Sequence, residues 1–345
     1  MIYLKDYKFN LIFKYWLLLL IALIFLIIVV GGLTRLTDSG LSITEWELLS
    51  GILPPLNNEK WMSYFSLYKK IPQYNLINQN ITLDEFKIIY YWEYAHRILA
   101  RIIGLVFIIP FFYFIIKKKL TNYCILRLSV IFILILIQGL VGWYMVMSGL
   151  VDNISVSHYR LAIHLTLAFI IISTIYWNFL NFNTKVNVNF FNNNIIFLPI
   201  KIFIILLFVQ IIFGAFVSGL DAGKIYQTWP LMNNSYFPDD NIFSISNFFD
   251  FSNKSIIQFY HRNIAYLILF FFLYVGFTVR RINWKFLARY YKIVFIFILI
   301  QLILGISVLL SNLNISFASL HQISSVFLVI SSLNLYHKSL TQIPS

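Results

Sequence analysis

Apolar residues in this chain do not alternate with polar ones. They come in unbroken runs of about 20, the length of α-helix that crosses roughly 30 Å of hydrocarbon. Eight such runs, near 15–33, 98–116, 125–147, 159–180, 196–217, 261–279, 290–310 and 317–336, predict an all-α polytopic membrane protein with eight spans. The longest interruption, about 34–91, is patterned. Trp61, Tyr64, Phe65 and Tyr68 have helical spacing and predict a helix lying on the membrane surface. Thr82-Leu83-Asp84-Glu85 fits a capping box, so the second membrane helix is expected to start near Leu83, outside the bilayer. A second large loop, 218–256, carries Asp221-Ala222-Gly223, Trp229-Pro230 and Asp239-Asp240.

Composition agrees with this pattern: 60% of residues are hydrophobic and 11% charged, against about 25% charged in soluble domains. The net charge of +13 would suit a nucleic-acid binder until the charges are placed. Lys5, Lys8, Lys14, Lys117, Lys118, Lys119, Arg127, Lys185, Lys201, Arg280, Arg281, Lys285, Arg289, Lys292 and Lys338 share one side, with Asp6 as its single acid. The other side mixes both signs. This asymmetry predicts both termini in the cytoplasm and excludes nucleic acid as the partner of the basic excess. The first apolar run is too long for a signal-peptide core, and the basic lead before it is neither Arg- nor Ser-rich, so a multi-pass protein of a bacterial inner membrane is expected. One cysteine, Cys124, allows no internal disulfide and no cysteine metal cluster, and is read as structural.

The two halves repeat. Asp38-Ser39-Gly40 followed at a fixed spacing by Trp46 matches Asp221-Ala222-Gly223 and Trp229; His96-Arg97 matches His261-Arg262; Gln138 and Gly142 match Gln301 and Gly305; His164 matches His321. Four paired features in one order predict a duplicated four-helix unit: residues 1–190 and 191–345, two tandem four-helix bundles related by a pseudo-two-fold axis. The Asn-rich stretch 181–194 is the linker between them.

His96, His164, His261 and His321 each open, or nearly open, an even-numbered span, so all four are expected at similar depth near the outer (periplasmic) face. Polar groups at such depth are costly and usually functional. Two facing histidines in a four-helix bundle can hold one iron axially, and haem is the flat apolar ligand that fits between helices. Arg97 and Arg262 are then candidates to pair with its propionates. Zinc or copper would want three or four close ligands, and each repeat offers two histidines. His158 and His337 fall outside the repeat and are read as incidental; Gln138, Gln210 and Gln301, each four residues before a glycine, are read as helix-packing contacts. The halves differ at one charged position: Glu93 stands one turn before His96, where the second half has Gln258. A carboxylate beside one haem only suggests proton-coupled chemistry at that site and a held cofactor at the other.

At these residues the chain resembles the haem A synthase family. The resemblance covers essentially the whole chain and rests on Gly31-Gly32-Leu33-Thr34-Arg35-Leu36-Thr37, Ser39-Gly40-Leu41-Ser42-Ile43, Pro54-Pro55, Glu93-x-x-His96-Arg97, His164, His261 and His321. The first loop has no cysteine pair, so the resemblance is to the alphaproteobacterial and mitochondrial class. It implies oxidation of a ring methyl of haem O to a formyl group, giving haem A for terminal oxidases. It also implies a resident haem b on His261 and His321, with Arg262 beside it. His96, His164 and Arg97 would bind the substrate, with Glu93 as the catalytic carboxylate near the reacting carbon. The implied partners are haem O, membrane lipid, an unidentified electron acceptor, the haem O synthase and terminal-oxidase assembly factors. The competing expectation is a di-haem b membrane protein that only transfers electrons.

Overall fold

The computed structural model describes residues 3–45, 50–150, 155–240 and 248–342; Trp46 and its place in the first-loop match lie outside them. Hydrocarbon supplies no hydrogen bonds, so a chain crossing it must satisfy its backbone internally. Helices α1 (Asn10–Leu36), α4 (Leu83–Ile116), α5 (Asn122–Gly149), α6 (His158–Thr184), α7 (Leu198–Gly219), α8 (Lys254–Leu310) and α9 (Ile315–Leu340) do so, with short α2 (Asn58–Tyr68) and α3 (Pro72–Leu76) in the first loop. Among the described residues, seven helices are long and apolar enough to cross a membrane.

The expected sixth and seventh spans lie on one element, α8. Its 57 residues run roughly 85 Å, more than twice a hydrocarbon crossing. The helix breaks at Asn283 (φ −170°, ψ 91°). The Asn283 side chain caps the second limb by accepting from Phe286 N at 3.3 Å, and its amide donates to Gln342 at 3.1 Å.

α4 is also longer than a crossing. The Thr82–Glu85 capping box opens it as the sequence predicts, and its first turns stand clear of the apolar run. α2 departs from the sequence expectation. Its stripe of Trp61, Phe65 and Tyr68 is buried against Phe86 and Tyr90 of α4 rather than laid on lipid. Projecting aromatic positions on α4 offer a drier partner than the bilayer interface.

α1 packs on α4 and α6, α5 on α6 and more thinly on α4, α6 on α7, α7 on α8, and α8 on α9, which crosses back to α1 and α6. The core is aromatic: Phe13, Trp16, Phe107 and Phe114 interlock, and Trp16 Nε1 donates to Val106 O at 2.8 Å. At the end away from the four histidines, buried His337 meets Asn181 Oδ1 at 2.9 Å, and Asn181 brackets Val188 of the linker. Cys124 is buried in this core.

α1 approaches α9 closely at Gly32. A Cβ there would collide with the Gln322 amide, which donates to Ile28 O at 3.0 Å. Gly32→Ala therefore displaces that amide and is expected to cost about 1 kcal/mol. In a Gln322→Ala background the cost should vanish; equal destabilisation in both backgrounds, by thermal unfolding in detergent, would refute this packing account.

Candidate functional site

The four histidines come together as two pairs. His96 of α4 faces His164 of α6 with ring centroids 6.3 Å apart and planes at 61°. His261 of α8 faces His321 of α9 at 6.4 Å and 79°. One metal held between two imidazole nitrogens at about 2.0–2.1 Å each puts the centroids roughly 6 Å apart. The buried Nδ1 atoms of His261 and His321 have no hydrogen-bond partner. Two imidazole pairs at this spacing fit axial ligation of a haem iron, although the Gln138 amide lies 3.2 Å from His164 Nδ1 and the Gln210 amide 3.4 Å from His261 Nε2.

Each ring lies against a glycine of the neighbouring helix. A Cβ would come within 3.1 Å of His96 from Gly31, 2.9 Å of His164 from Gly142, 3.2 Å of His261 from Gly214 and 3.3 Å of His321 from Gly305. One turn before three of these glycines, a glutamine amide donates to the carbonyl of the facing histidine: Gln138 to His164 O at 3.1 Å, Gln210 to His261 O at 3.0 Å and Gln301 to His321 O at 2.9 Å. The packing role read for these glutamines is thus more specific than expected. Each pins the backbone that carries an imidazole, while the glycine leaves room for the ring. The sequence carried the signal in the four-residue Gln–Gly spacing.

The polar residues above the pairs clamp the loops. Glu93 is 3% exposed. Its Oε2 accepts from Ser42 Oγ at 2.7 Å and Ile43 N at 2.9 Å; its Oε1 accepts from Arg97 Nη2 at 2.6 Å and Nε at 3.1 Å. Arg97 also donates to Ile43 O at 3.0 Å. Across the molecule, Arg262 donates to Tyr226 O at 3.0 Å, and Gln258 donates to the same carbonyl at 2.8 Å. The offset that carries Asp38 to Asp221 also carries Ile43 to Tyr226, so the two arginines hold equivalent loop carbonyls. Both guanidiniums expected at propionates are thus engaged with their own loops. Beside Arg97, a shallow cleft is lined by Arg101, Tyr90, Tyr94, Ile43 and Glu45 among others. Arg101, four residues after Arg97 on α4, went unremarked in the sequence, although that spacing already puts the two on one helix face.

Arg35, within the motif at residues 31–37, ties the two loops. It donates to Asp38 at 2.8 Å, to Asp221 at 3.0 Å and to Ser218 O at 2.6 Å. The Tyr226 hydroxyl lies 2.7 Å from both Asp239 and Asp240, and burial pushes its ionisation upward, with those carboxylates adding to the shift. His158 sits outside both pairs, its ring 5.4 Å from Phe216.

Residues 14–333 match the family of cytochrome oxidase assembly proteins designated COX15-CtaA. The chain belongs to that family. It is 48% identical over 320 residues to a protein of Pelagibacter ubique named haem A synthase, covering 92% of this chain and 94% of that one. Proteins with the same name from Nitrosomonas eutropha and Wolbachia pipientis wMel are 42% and 40% identical, each covering 92% of this chain and at least nine-tenths of their own length. Within this COX15-CtaA protein, Cys124 is the single cysteine, which fits the class without a loop cysteine pair.

Removing the Glu93 carboxylate leaves the Ser42 hydroxyl, the Ile43 N–H and the part-buried Arg97 short of an acceptor. Glu93→Ala is expected to cost about 3–5 kcal/mol and Glu93→Gln less, about 1–3 kcal/mol. Both should speed proteolysis in the first loop, and parent-like protection in both would sink the clamp.

Proposed function

We propose that the chain is a haem A synthase, a membrane oxidoreductase that converts the ring methyl of haem O to a formyl group. The observation that carries this reading is the pair of matched imidazole sites, 6.3 and 6.4 Å across, in a chain of this family. Glu93 at one site and Gln258 at the other give them different tasks.

In this reading the chain is two four-helix units, 1–190 and 191–345, with the Asn283 break dividing α8 into spans six and seven of eight. Both termini face the cytoplasm and the histidines lie toward the periplasm. The basic residues around that break, Arg280, Arg281, Lys285, Arg289 and Lys292, support this orientation.

His96 and His164 hold the iron of haem O as substrate; His261 and His321 hold a resident haem b. When bound there, haem b supplies a one-electron relay toward an acceptor. Converting a methyl group and one water to a formyl group releases four electrons and four protons. Each removal of hydride or electrons leaves positive charge at the reacting carbon, and a buried carboxylate nearby stabilises it. Both Glu93 oxygens already accept hydrogen bonds, which favours this electrostatic role over abstraction of the proton. Arg97 holds Glu93 in place, and Ser42 and Ile43 close the loop over it. Substrate comes from the enzyme class that alkylates haem b, and product goes to the assembly of terminal oxidases.

The deciding experiment is acid-solvent extraction and chromatography of the haems held by protein purified from cells that make haem O. Haem b together with haem O or A is expected; haem b alone at two per chain would replace the synthase by a di-haem electron carrier. His261→Ala should lose haem b, while His96→Ala keeps it and loses haem O and A. The eight-span topology has its own readout. Cys124 is buried, so a cysteine introduced at Lys285 should react with an impermeant maleimide from the side that reaches one at Lys118; labelling from opposite sides would refute the topology.

A further inference from the structure

The first loop buries most of its large apolar residues: Leu41, Ile43, Trp61, Phe65 and Tyr68 pack inside it or against α4. Two contiguous stretches expose theirs. Leu76 and Ile77, at the end of α3, border a polar recess with Gln79 and Glu85. Glu85 lies 13 residues before the second apolar run, 98–116, so this stretch stands about 20 Å clear of hydrocarbon. The other stretch lies between the short turn at Ser50–Ile52 and α2. There Ile52 is 46% exposed, Leu53 66% and Leu56 77%. Residues 51–58 carry no charge.

This second stretch is held low on α4. The Tyr94 hydroxyl donates to Ile52 O at 2.6 Å, and Gly51 lines the shallow cleft together with Arg97 and Arg101. Arg101 already belongs to the apolar run, so the stretch reaches the level at which α4 enters hydrocarbon. It also lies over the face of α4 that lipid covers farther in. At 100° per residue, Leu105 falls within about 20° of Tyr94 and Ile109 within about 60°; both are exposed. Tyr91 and Tyr94, on the same turns, are of the residue type that marks the headgroup level. The backbone suits the same place. Hydrocarbon satisfies no backbone donor or acceptor. Pro54 and Pro55 have no N–H to satisfy, and the Ile52 carbonyl already accepts from Tyr94.

We propose that residues 52–56 dip into the lipid leaflet at the histidine end of the molecule, with Leu53 and Leu56 among the upper acyl chains. The apolar surface of α4 is thus continued by a loop rather than ending where the helix leaves the bilayer. Gly51 shares its cleft with Ile43, the residue that Glu93 and Arg97 hold. Lipid contact and the Glu93 clamp therefore steady the same loop from two sides. Nothing in this depends on the synthase reading.

Cys124 is buried, so cysteines introduced one at a time by Leu53→Cys, Leu76→Cys and Leu105→Cys can be labelled with a nitrobenzoxadiazole fluorophore in the full chain, one chain per lipid nanodisc. Leu76→Cys is the aqueous reference and Leu105→Cys the lipid-facing one. Two quenchers are compared: iodide in water, and phospholipid spin-labelled near the top of its acyl chain. At position 53, iodide quenching is expected to be at least about threefold weaker than at 76, and lipid quenching at least about threefold stronger. Iodide quenching at 53 equal to that at 76 overturns the proposal. So does shielding from iodide without quenching by the lipid, the result expected if protein rather than lipid covers the stretch. Should Leu53→Cys fail to fold, Leu56→Cys carries the same comparison.

Discussion

Two guanidinium groups, Arg97 and Arg262, each hold one loop carbonyl, at Ile43 and Tyr226. Around these bonds the histidine end of the molecule is arranged. A membrane helix can place a histidine at a chosen depth, but it cannot by itself hold an aqueous loop over that histidine. The arginine sits one residue after the histidine, so the bond that fixes the loop starts from the helix turn that carries the imidazole. Arg35 joins the two loops through Asp38 and Asp221.

The two pairs differ in the residue one turn before the first histidine. Glu93 binds the Ile43 N–H, the Ser42 hydroxyl and Arg97 through its two oxygens; Gln258, one atom different, turns to donate to the Tyr226 carbonyl. A carboxylate therefore stands one turn before His96, and a neutral amide one turn before His261. The cost of burying that charge is offset by four hydrogen bonds, two of them from a guanidinium. The two imidazole pairs therefore share a spacing and differ in the charge beside them.

Much of this was legible in the sequence because the relevant periods are short. Runs of hydrocarbon length, the Thr82–Glu85 cap, the paired histidines and the Gln–Gly spacing are local patterns that survive without coordinates. What the sequence hid depends on partners far along the chain. Nothing local to Arg35 points to Ser218, and nothing in Trp61, Phe65 and Tyr68 says that their partner is the projecting start of α4 rather than lipid. Asn283 falls in the interval between the sixth and seventh apolar runs, 261–279 and 290–310. In the structure the helix resumes after one residue, because the asparagine side chain supplies the cap that a longer loop would have supplied.

The glycines show why position within a fold, rather than residue type, decides meaning. Gly142 and Gly305 are needed because an imidazole occupies the place of a side chain. Gly104 and Gly139 look the same in sequence, yet nothing stands where their side chains would be. In a helix each forgoes part of the stability that alanine would supply, and in hydrocarbon an unfilled seam also forgoes packing, the main force between membrane helices. The same residue type thus makes way for an imidazole at one position and borders only open space at another.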